Sequence, residues 1–443
     1  MWCAVGLADN PSDLYHQHGV REQVCTRAEY GSKTIVLHIK TRQDKFYCTQ
    51  CKSDNVIRSG VVTRDFRSAP VGGKPVVLRM AVQRLECKCC HHVSQEHIHF
   101  AAPQTTYTRR LARYAVDLCR IASIKSVAAH LNLSWNTVKE MVKGYLDRNY
   151  SKPDISDLKM IGIDEFAVRK GHVYKTIVVD LETGRIVYVG EGKGADALDG
   201  FWKMVKKAGV KIEYVASDLS AAYISAVREN APDAVYVFDH FHVVKLVNET
   251  LDKIRRRIVN QERRKEKMEE EELRKTAESS QETPDSPKRK TQPYPPAATP
   301  RRSSVVKGTK YILLRNREDL TDKKDIDRLN AALELNRDLS VAYYLKEDAR
   351  LIWKCDSRQQ AESQLDAWLV SALSANIPEL AKLAETIKSH RTGILAYYCK
   401  PISTGPVEGI NNKIKTLKRM AYGFRDEQYF TLRLLALHDF KYS

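Results

Sequence analysis

The sequence predicts a multidomain α+β protein, on three observations. Two Cys-x2-Cys pairs, Cys48-Thr-Gln-Cys51 and Cys87-Lys-Cys-Cys90, sit among short β-type runs early in the chain. Between Met160 and Phe238, strand and helix signals succeed one another as in an α/β domain with a mixed sheet. On either side of that block the apolar positions recur three or four apart, the helical period. With 443 residues, 43% of them hydrophobic, the chain is long enough for roughly two to four domains with real cores.

The β-type runs Thr34–Ile39 and Pro75–Met80, with Gly72-Gly73 as a turn signal, mark a small β module. Its bounds are set at 45–102, behind an N-terminal segment of residues 1–44. Cys48, Cys51, Cys87 and Cys90 would place four thiolates on one Zn2+, a closed tetrahedral shell that is structural because no position stays open for chemistry. Cys89, His91 and His92 crowd the second pair and leave the last ligand open. Ordinary buried thiols are the plainer alternative, but five cysteines in so short a region of a reduced protein favour metal over disulfides.

Residues 103–150 switch to helical periodicity, with Leu111, Tyr114, Ala115 and Leu118 on one face. Within them, Val127 to Val138 follow helix-turn-helix grammar: small alanines in the first helix, Asn132 at the left-handed turn, Leu133 buried and Ser134 capping a second helix from Trp135. Trp135, Asn136 and Lys139 would then face a major groove, with Asn136 suited to adenine and Lys139 or Lys143 to phosphate. A plain αα-hairpin gives the same pattern.

After a Ser151-Lys-Pro-Asp linker come strands at Met160–Val168, Val173–Asp180 and Arg185–Gly190, a helix Ala195–Ala208, a strand Ile212–Ser217, a helix Ala221–Asn230 and a strand Ala234–Phe238. These belong to residues 155–245, the first part of an α/β core. Residues 246–398 read as a mainly helical insertion, with helices such as Leu329–Leu345 and Ala361–Leu373. A charged, Pro-rich run near 275–305 lacks the apolar side chains that offset ordering entropy and is expected to be disordered. The core resumes at 399–443.

Three acids stand out. Asp164 and Asp218 each end an apolar strand, in Ile161-Gly-Ile-Asp and Val215-Ala-Ser-Asp, so their carboxylates should emerge from neighbouring positions of one sheet. Either alone is also an ordinary turn aspartate. Glu408 lies in the first turn of a basic, Asn-rich helix, where a glutamate commonly satisfies backbone donors, and the local grammar is even between cap and ligand. Three carboxylates suit Mg2+ or Mn2+, which prefer hard oxygen, and phosphodiester chemistry is well served by two such ions about 4 Å apart. A metal-dependent nuclease or strand transferase is therefore implied. Asn412 and Lys415 follow Glu408 on nearly the same helical face, and Lys415, Lys418 and Arg419 suggest a phosphate track or a merely solvated basic face. Asp239 and His242 follow the last strand, and taken alone they read as a helix cap and a core histidine.

The net charge of +18, from 73 Lys+Arg against 55 Asp+Glu, attracts polyanions and makes nucleic acid the leading partner. No apolar run of membrane-spanning length and no secretion signal is evident, so no membrane partner is expected and a cytoplasmic, nucleoid-associated place is.

Taken in order, the paired cysteines, the helix-turn-helix, Ile161-Gly-Ile-Asp-Glu-Phe, Ser217-Asp-Leu-Ser-Ala-Ala-Tyr, Phe238-Asp-His-Phe-His, Lys310-Tyr-Ile-Leu-Leu-Arg-Asn and Lys418-Arg-Met-Ala-Tyr-Gly-Phe-Arg resemble the bacterial ISL-three insertion-sequence transposases. The likeness runs from about residue 45 to the end and rests on several motifs in the right order. It implies a zinc ribbon, an RNase H-like α/β core interrupted by an all-helical insertion, and a DDE triad of Asp164, Asp218 and Glu408. It also makes Asp239 and His242 active-site neighbours through an Asp-x2-His signature. His91 departs from the family, which often has Gly after the last cysteine, and the run near 262–305 is longer than the family needs. The expected activity is metal-dependent cleavage and transfer of DNA strands, on double-stranded terminal inverted repeats and target DNA, by a homodimer on paired ends. A retired transposase acting as a DNA-binding repressor, or a stand-alone nuclease of the same fold, are the alternatives.

Overall fold

The computed structural model describes residues 11–42, 46–169, 173–238, 240–279, 301–402 and 405–440. The chain forms two compact units, each discontinuous in sequence: residues up to Asp154 with Gly184–Val189 and Gly409 onward, and Ile155–Thr183 with Gly190–Glu408.

The first unit opens with helix α1 (Pro11–His18) and the strands β1 (Gln23–Tyr30), β2 (Ile35–Thr41), β3 (Val56–Val71), β4 (Lys74–Cys87) and β5 (Val93–Gln95). Val76, Leu78, Met80 and Val82 are buried at every second position of β4, the period of a strand covered on one face. They pack with Leu37, Ile39, Phe66 and Phe100 in one core. Gly72 and Gly73, both at positive φ, close the β3–β4 hairpin between the paired Val71 and Lys74, as a two-residue turn of that hand requires. The strand order is β1-β2-β4-β3, with β5 also on β4. The sheet therefore runs across the expected division at 44/45. Ile35–Ile39 pair in parallel with Val76–Met80, and without them one edge of β4 would present unpaired backbone groups.

Three helices follow: α2 (Arg109–Leu118), α3 (Ile124–Leu131) and α4 (Trp135–Tyr150), capped by the side chains of Thr108, Ser123 and Ser134 respectively. Asn132 ends α3 with φ 50°, the left-handed turn that the grammar requires. Leu111 and Ala115 are buried as expected, but Tyr114 stays exposed and Leu133 is only half-buried.

The second unit contains β6 (Met160–Arg169) and β7 (Val173–Asp180), while β8 (Ile186–Glu191) ends within it. A single 3₁₀ turn leads into α5 (Asp199–Ala208), then β9 (Tyr214–Ser217), α6 (Ala221–Asn230), β10 (Val235–Phe238) and the long α7 (His240–Ser279). The sheet order is β10-β9-β6-β7-β8, with β6 antiparallel to β7 and parallel to β9, which is parallel to β10. This is the mixed sheet that the strand and helix signals imply.

A helical block follows: α8 (Arg302–Lys307), α9 (Lys310–Leu314), α10 (Lys323–Leu335), α11 (Arg337–Leu351), α12 (Arg358–Ser374), α13 (Pro378–Ser389) and α14 (Arg391–Leu395). Trp368, Tyr343 and Leu365 centre its core, which also takes one face of α7. The helix expected over Leu329–Leu345 is two helices: Asn336 is extended, and its side chain accepts from the Leu339 N–H to cap the second. An asparagine offers the backbone this alternative to a continued ladder. The charged segment is helical as far as Ser279, and the expected disorder near 275–305 falls largely outside the described residues. The last helices are α15 (Gly405–Met420) and α16 (Glu427–Leu435).

Candidate functional site

Strands β6 and β9 run parallel with Ile163 opposite Ser217. Asp164 and Asp218 are the next residues on each, so they leave adjacent strands at one level, strands about 4.8 Å apart. Both are half-buried. Asp164 Oδ1 accepts from the Glu165 N–H at 2.8 Å and Asp218 Oδ1 from the Ser220 N–H at 3.1 Å, which orients each carboxylate. Ser217 is fully buried and hydrogen-bonds the Tyr236 hydroxyl, steadying the end of β9 beneath Asp218.

Glu408 is reached through a glycine. A Cβ on Gly162, two residues before Asp164, would lie 2.6 Å from Val407 Cγ2, so the bare backbone of β6 is what admits the buried Val407. The next residue is Glu408, in the first turn of α15. It is exposed and makes no hydrogen bond or ion pair among the described residues, which removes the capping role that its position suggested. Among the described residues only the four thiols below form a set of three or more such ligands with every donor atom within 4.8 Å of the others. The three carboxylates do not stand that close.

Glu165, which sequence reasoning passed over, belongs to the same neighbourhood. Burial, then the charges of Asp218 and Asp164, push its carboxyl above the usual range. Tyr223 on α6 donates to Glu165 Oε2 at 3.4 Å and lies 3.0 Å from Thr176 Oγ1. Its phenol is raised, first by burial and then by the same acids. His242 is half-buried in the first turn of α7 beside the Phe241 ring, whereas Asp239 lies outside the described residues.

The thiols of Cys48, Cys51, Cys87 and Cys90 all lie within 4.8 Å of one another, with Cys48–Cys90 at 3.6 Å and Cys51–Cys87 at 3.5 Å. Tetrahedral Zn2+ at about 2.3 Å from each sulfur needs sulfurs roughly 3.8 Å apart, so this set fits. Cys89 is excluded, its exposed thiol hydrogen-bonded to Ser53 instead. Backbone N–H groups, led by Cys51 at Cys48 and Cys90 at Cys87, draw both thiols down, Cys87 to about 6. Lys52 and His91, each next after the second cysteine of its pair, take φ of 61° and 55°. That left-handed turn is what the family's glycine serves, and His91 adopts it without one.

On α4, Trp135 and Asn136 are exposed, in keeping with a groove-facing start. Lys139 and Lys143 are not: both ammonium groups bond Asp426 Oδ2, at 2.8 and 3.1 Å, and their side chains are mostly buried. On α15, Asn412, Lys415 and Arg419 are exposed and Lys418 is half-buried, with Lys415 donating to Asn412 Oδ1 at 3.3 Å.

Residues 161–434 match the family profile of a transposase, and residues 96–146 match the helix-turn-helix domain of transposase family ISL3. The chain belongs to the ISL3 transposases. It is 30% identical over 410 residues to the transposase for insertion sequence element IS1001 of Bordetella parapertussis, covering 92% of each chain. It is also 30% identical to that of element IS1557 of Mycobacterium tuberculosis, over 83% of this chain and 80% of the relative. A strand transfer complex of the Drosophila P element transposase aligns with 75% of the chain at 11% identity, but its TM-score of 0.38 is too low to carry the fold. This protein is therefore a DNA transposase, and its helix-turn-helix is a family module rather than a chance αα-hairpin. Among the described residues no helix is long and apolar enough to cross a membrane.

Proposed function

We propose that this transposase cleaves and joins DNA strands through a DDE triad of Asp164, Asp218 and Glu408 on an RNase H-like core. The observation that carries the reading is the in-register pairing of Ile163 with Ser217, which sets Asp164 and Asp218 side by side, together with Val407 packed on Gly162 just ahead of Glu408. The three carboxylates offer the hard oxygen donors that Mg2+ or Mn2+ takes, and such ions, when bound, stabilise charge on the phosphoryl oxygens and lower the pKa of an attacking water or 3′-hydroxyl. The chain's own residues do the positioning. Backbone N–H groups bind one oxygen of Asp164 and one of Asp218, and so orient both carboxylates. Glu408, without a partner among the described residues, is available as a third donor. Glu165, hydrogen-bonded by Tyr223, supports the pair from the neighbouring position, and the Asp-x2-His signature keeps Asp239 and His242 as active-site neighbours. Catalysis would then rest mainly on positioning and charge stabilisation.

Four thiolates would hold a structural Zn2+ in the ribbon. Ribbon and helix-turn-helix would bind the element's terminal inverted repeats, with Trp135 and Asn136 at base edges, while Asn412, Lys415, Lys418 and Arg419 meet phosphate. Two ends must be joined, so a homodimer is the natural assembly, at work in the cytoplasm on the nucleoid. The test is a strand-transfer assay with terminal-repeat DNA and Mg2+. Glu408→Gln should lower transfer at least a hundredfold while duplex binding persists; transfer at the unsubstituted rate would remove Glu408 from the triad.

A further inference from the structure

The sequence assigned phosphate contact to Lys139 and Lys143, yet both ammonium groups are tied to Asp426. Beside these lysines on α4, Asn136, Glu140, Gly144 and Arg148, each four residues from the last, form one stripe along the helix. Glu140, Gly144 and Arg148 of this stripe line a cleft of about 640 Å3, whose other walls come from the end of α1 and the residues just after it, the segment 99–107 and the first half of α2. Its charge is one-sided. Arg21, Arg109, Arg110, Arg113 and Arg148 line it, and among the described residues Glu140 is the one carboxylate that does.

The arginines differ in what already holds them. Arg110 donates to the carbonyls of Tyr15 and His16, Arg21 lies over the Tyr15 ring, and Arg113 pairs loosely with Asp117 at 3.6 Å. Arg109 and Arg148 are exposed and have no hydrogen-bond or ion-pair partner for their guanidinium groups among the described residues. Two features of the sequence go against local stability here. Arg109 and Arg110 occupy the first turn of α2, which has no acid, although a helix start favours anions. Gly144 stands inside α4, where alanine is the better helix former, and a Cβ there would meet only the far end of Arg148, at 3.5 Å. Both are explained if an anionic backbone lies in the cleft: the arginines and the positive end of α2 face it, and the bare Gly144 lets it approach.

We propose that this cleft grips the phosphate backbone of duplex DNA, with Arg109 and Arg148 as the principal contacts, while Lys139 and Lys143 serve to hold α4 in place. The inference rests on the DNA-binding role of the helix-turn-helix. Full-length zinc-loaded protein is titrated onto a fluorescent duplex of random sequence at several salt concentrations. Each phosphate contact contributes about 0.9 to the slope of log K against log salt. Arg109→Gln with Arg148→Gln should flatten that slope by about 1.8 and weaken binding more than tenfold at low salt. Arg109→Lys with Arg148→Lys should keep most of the slope, because the charge remains. A full slope in the Gln pair, with an unchanged melting temperature, would overturn the assignment. Absence of salt-dependent binding by the unsubstituted chain would instead overturn the DNA-binding role, and the cleft with it.

Discussion

At the scale of single residues, the candidate site depends as much on a missing side chain as on its acids. Gly162 has Val407 Cγ2 and Leu181 Cδ2 within 2.6 and 2.8 Å of where a Cβ would be, and a branched valine held in a core cannot easily turn away. Gly162→Ala should cost about 1–3 kcal/mol by overpacking and lift Val407, and with it Glu408, from β6. Strand transfer should fall at least tenfold while duplex binding is unchanged, and adding Val407→Ala should restore part of it; undiminished transfer in the single variant would show that the contact does not position Glu408. Asp218 was legible because an apolar strand that stops at an acid is conspicuous, and Asp164 because it closes an apolar run, although β6 does not end there as expected but continues to Arg169. Glu165 was not, since two consecutive acids on a strand point to opposite faces and nothing in Ile161-Gly-Ile-Asp-Glu-Phe tells which of them the sheet will bury. Among Cys89, Cys90, His91 and His92 the Cys-x2-Cys spacing pointed to Cys90, and the cluster of Cys48, Cys51, Cys87 and Cys90 agrees.

At the scale of elements, strands and helices of the α/β block were read to within about two residues, because short continuous apolar runs bounded by turn residues stand apart from the 3.6 period there. What periodicity could not show is which partner each face meets. The face of α4 with Lys139 and Lys143 looked like a DNA surface, but it is where α16 begins. Asp426 does two things at once: Oδ1 accepts from the Tyr429 N–H to cap α16, and Oδ2 takes both lysines. These bonds hold its carboxyl far below the usual range, Lys139 foremost. Substitution separates the two roles, since asparagine caps as well as aspartate but cannot pair with two ammonium ions. Asp426→Asn should therefore cost about 1–2 kcal/mol for partly buried ion pairs. Asp426→Ala should cost about 1 kcal/mol more for the lost cap. Denaturant melts would check this: an Asn variant as stable as the unsubstituted chain would mean that the lysines contribute nothing, and an Ala variant as stable as the Asn variant that the cap does not.

At the scale of the whole chain, the first unit is completed by residues far apart in sequence. Leu111, Ala115, Val138, Met141 and Val142 of the helix-turn-helix share one core with Tyr429, Leu432, Ala436 and Phe440. A reading from sequence treats 103–150 as self-contained, because local grammar specifies its helices and turn but is silent on distant partners. Three short helices bury too little apolar surface to be stable by themselves, so the extra layer from α16 and Phe440 is required on physical grounds. Phe440 is fully buried, with Arg120 and Arg433 against its ring at 5.4 and 5.5 Å. Phe440→Ala should cost about 3–5 kcal/mol, a large part of what holds a unit of this size. The β module has a core of its own around Leu78 and Phe66, and the cysteine site depends on that module. The variant should accordingly lose duplex binding and become sensitive to protease within 109–150, while its zinc content, measured by atomic emission, stays at that of the unsubstituted chain. Duplex binding and protease resistance at the original level would show that the helix-turn-helix stands without this layer; loss of zinc along with them would show that the two cores melt as one.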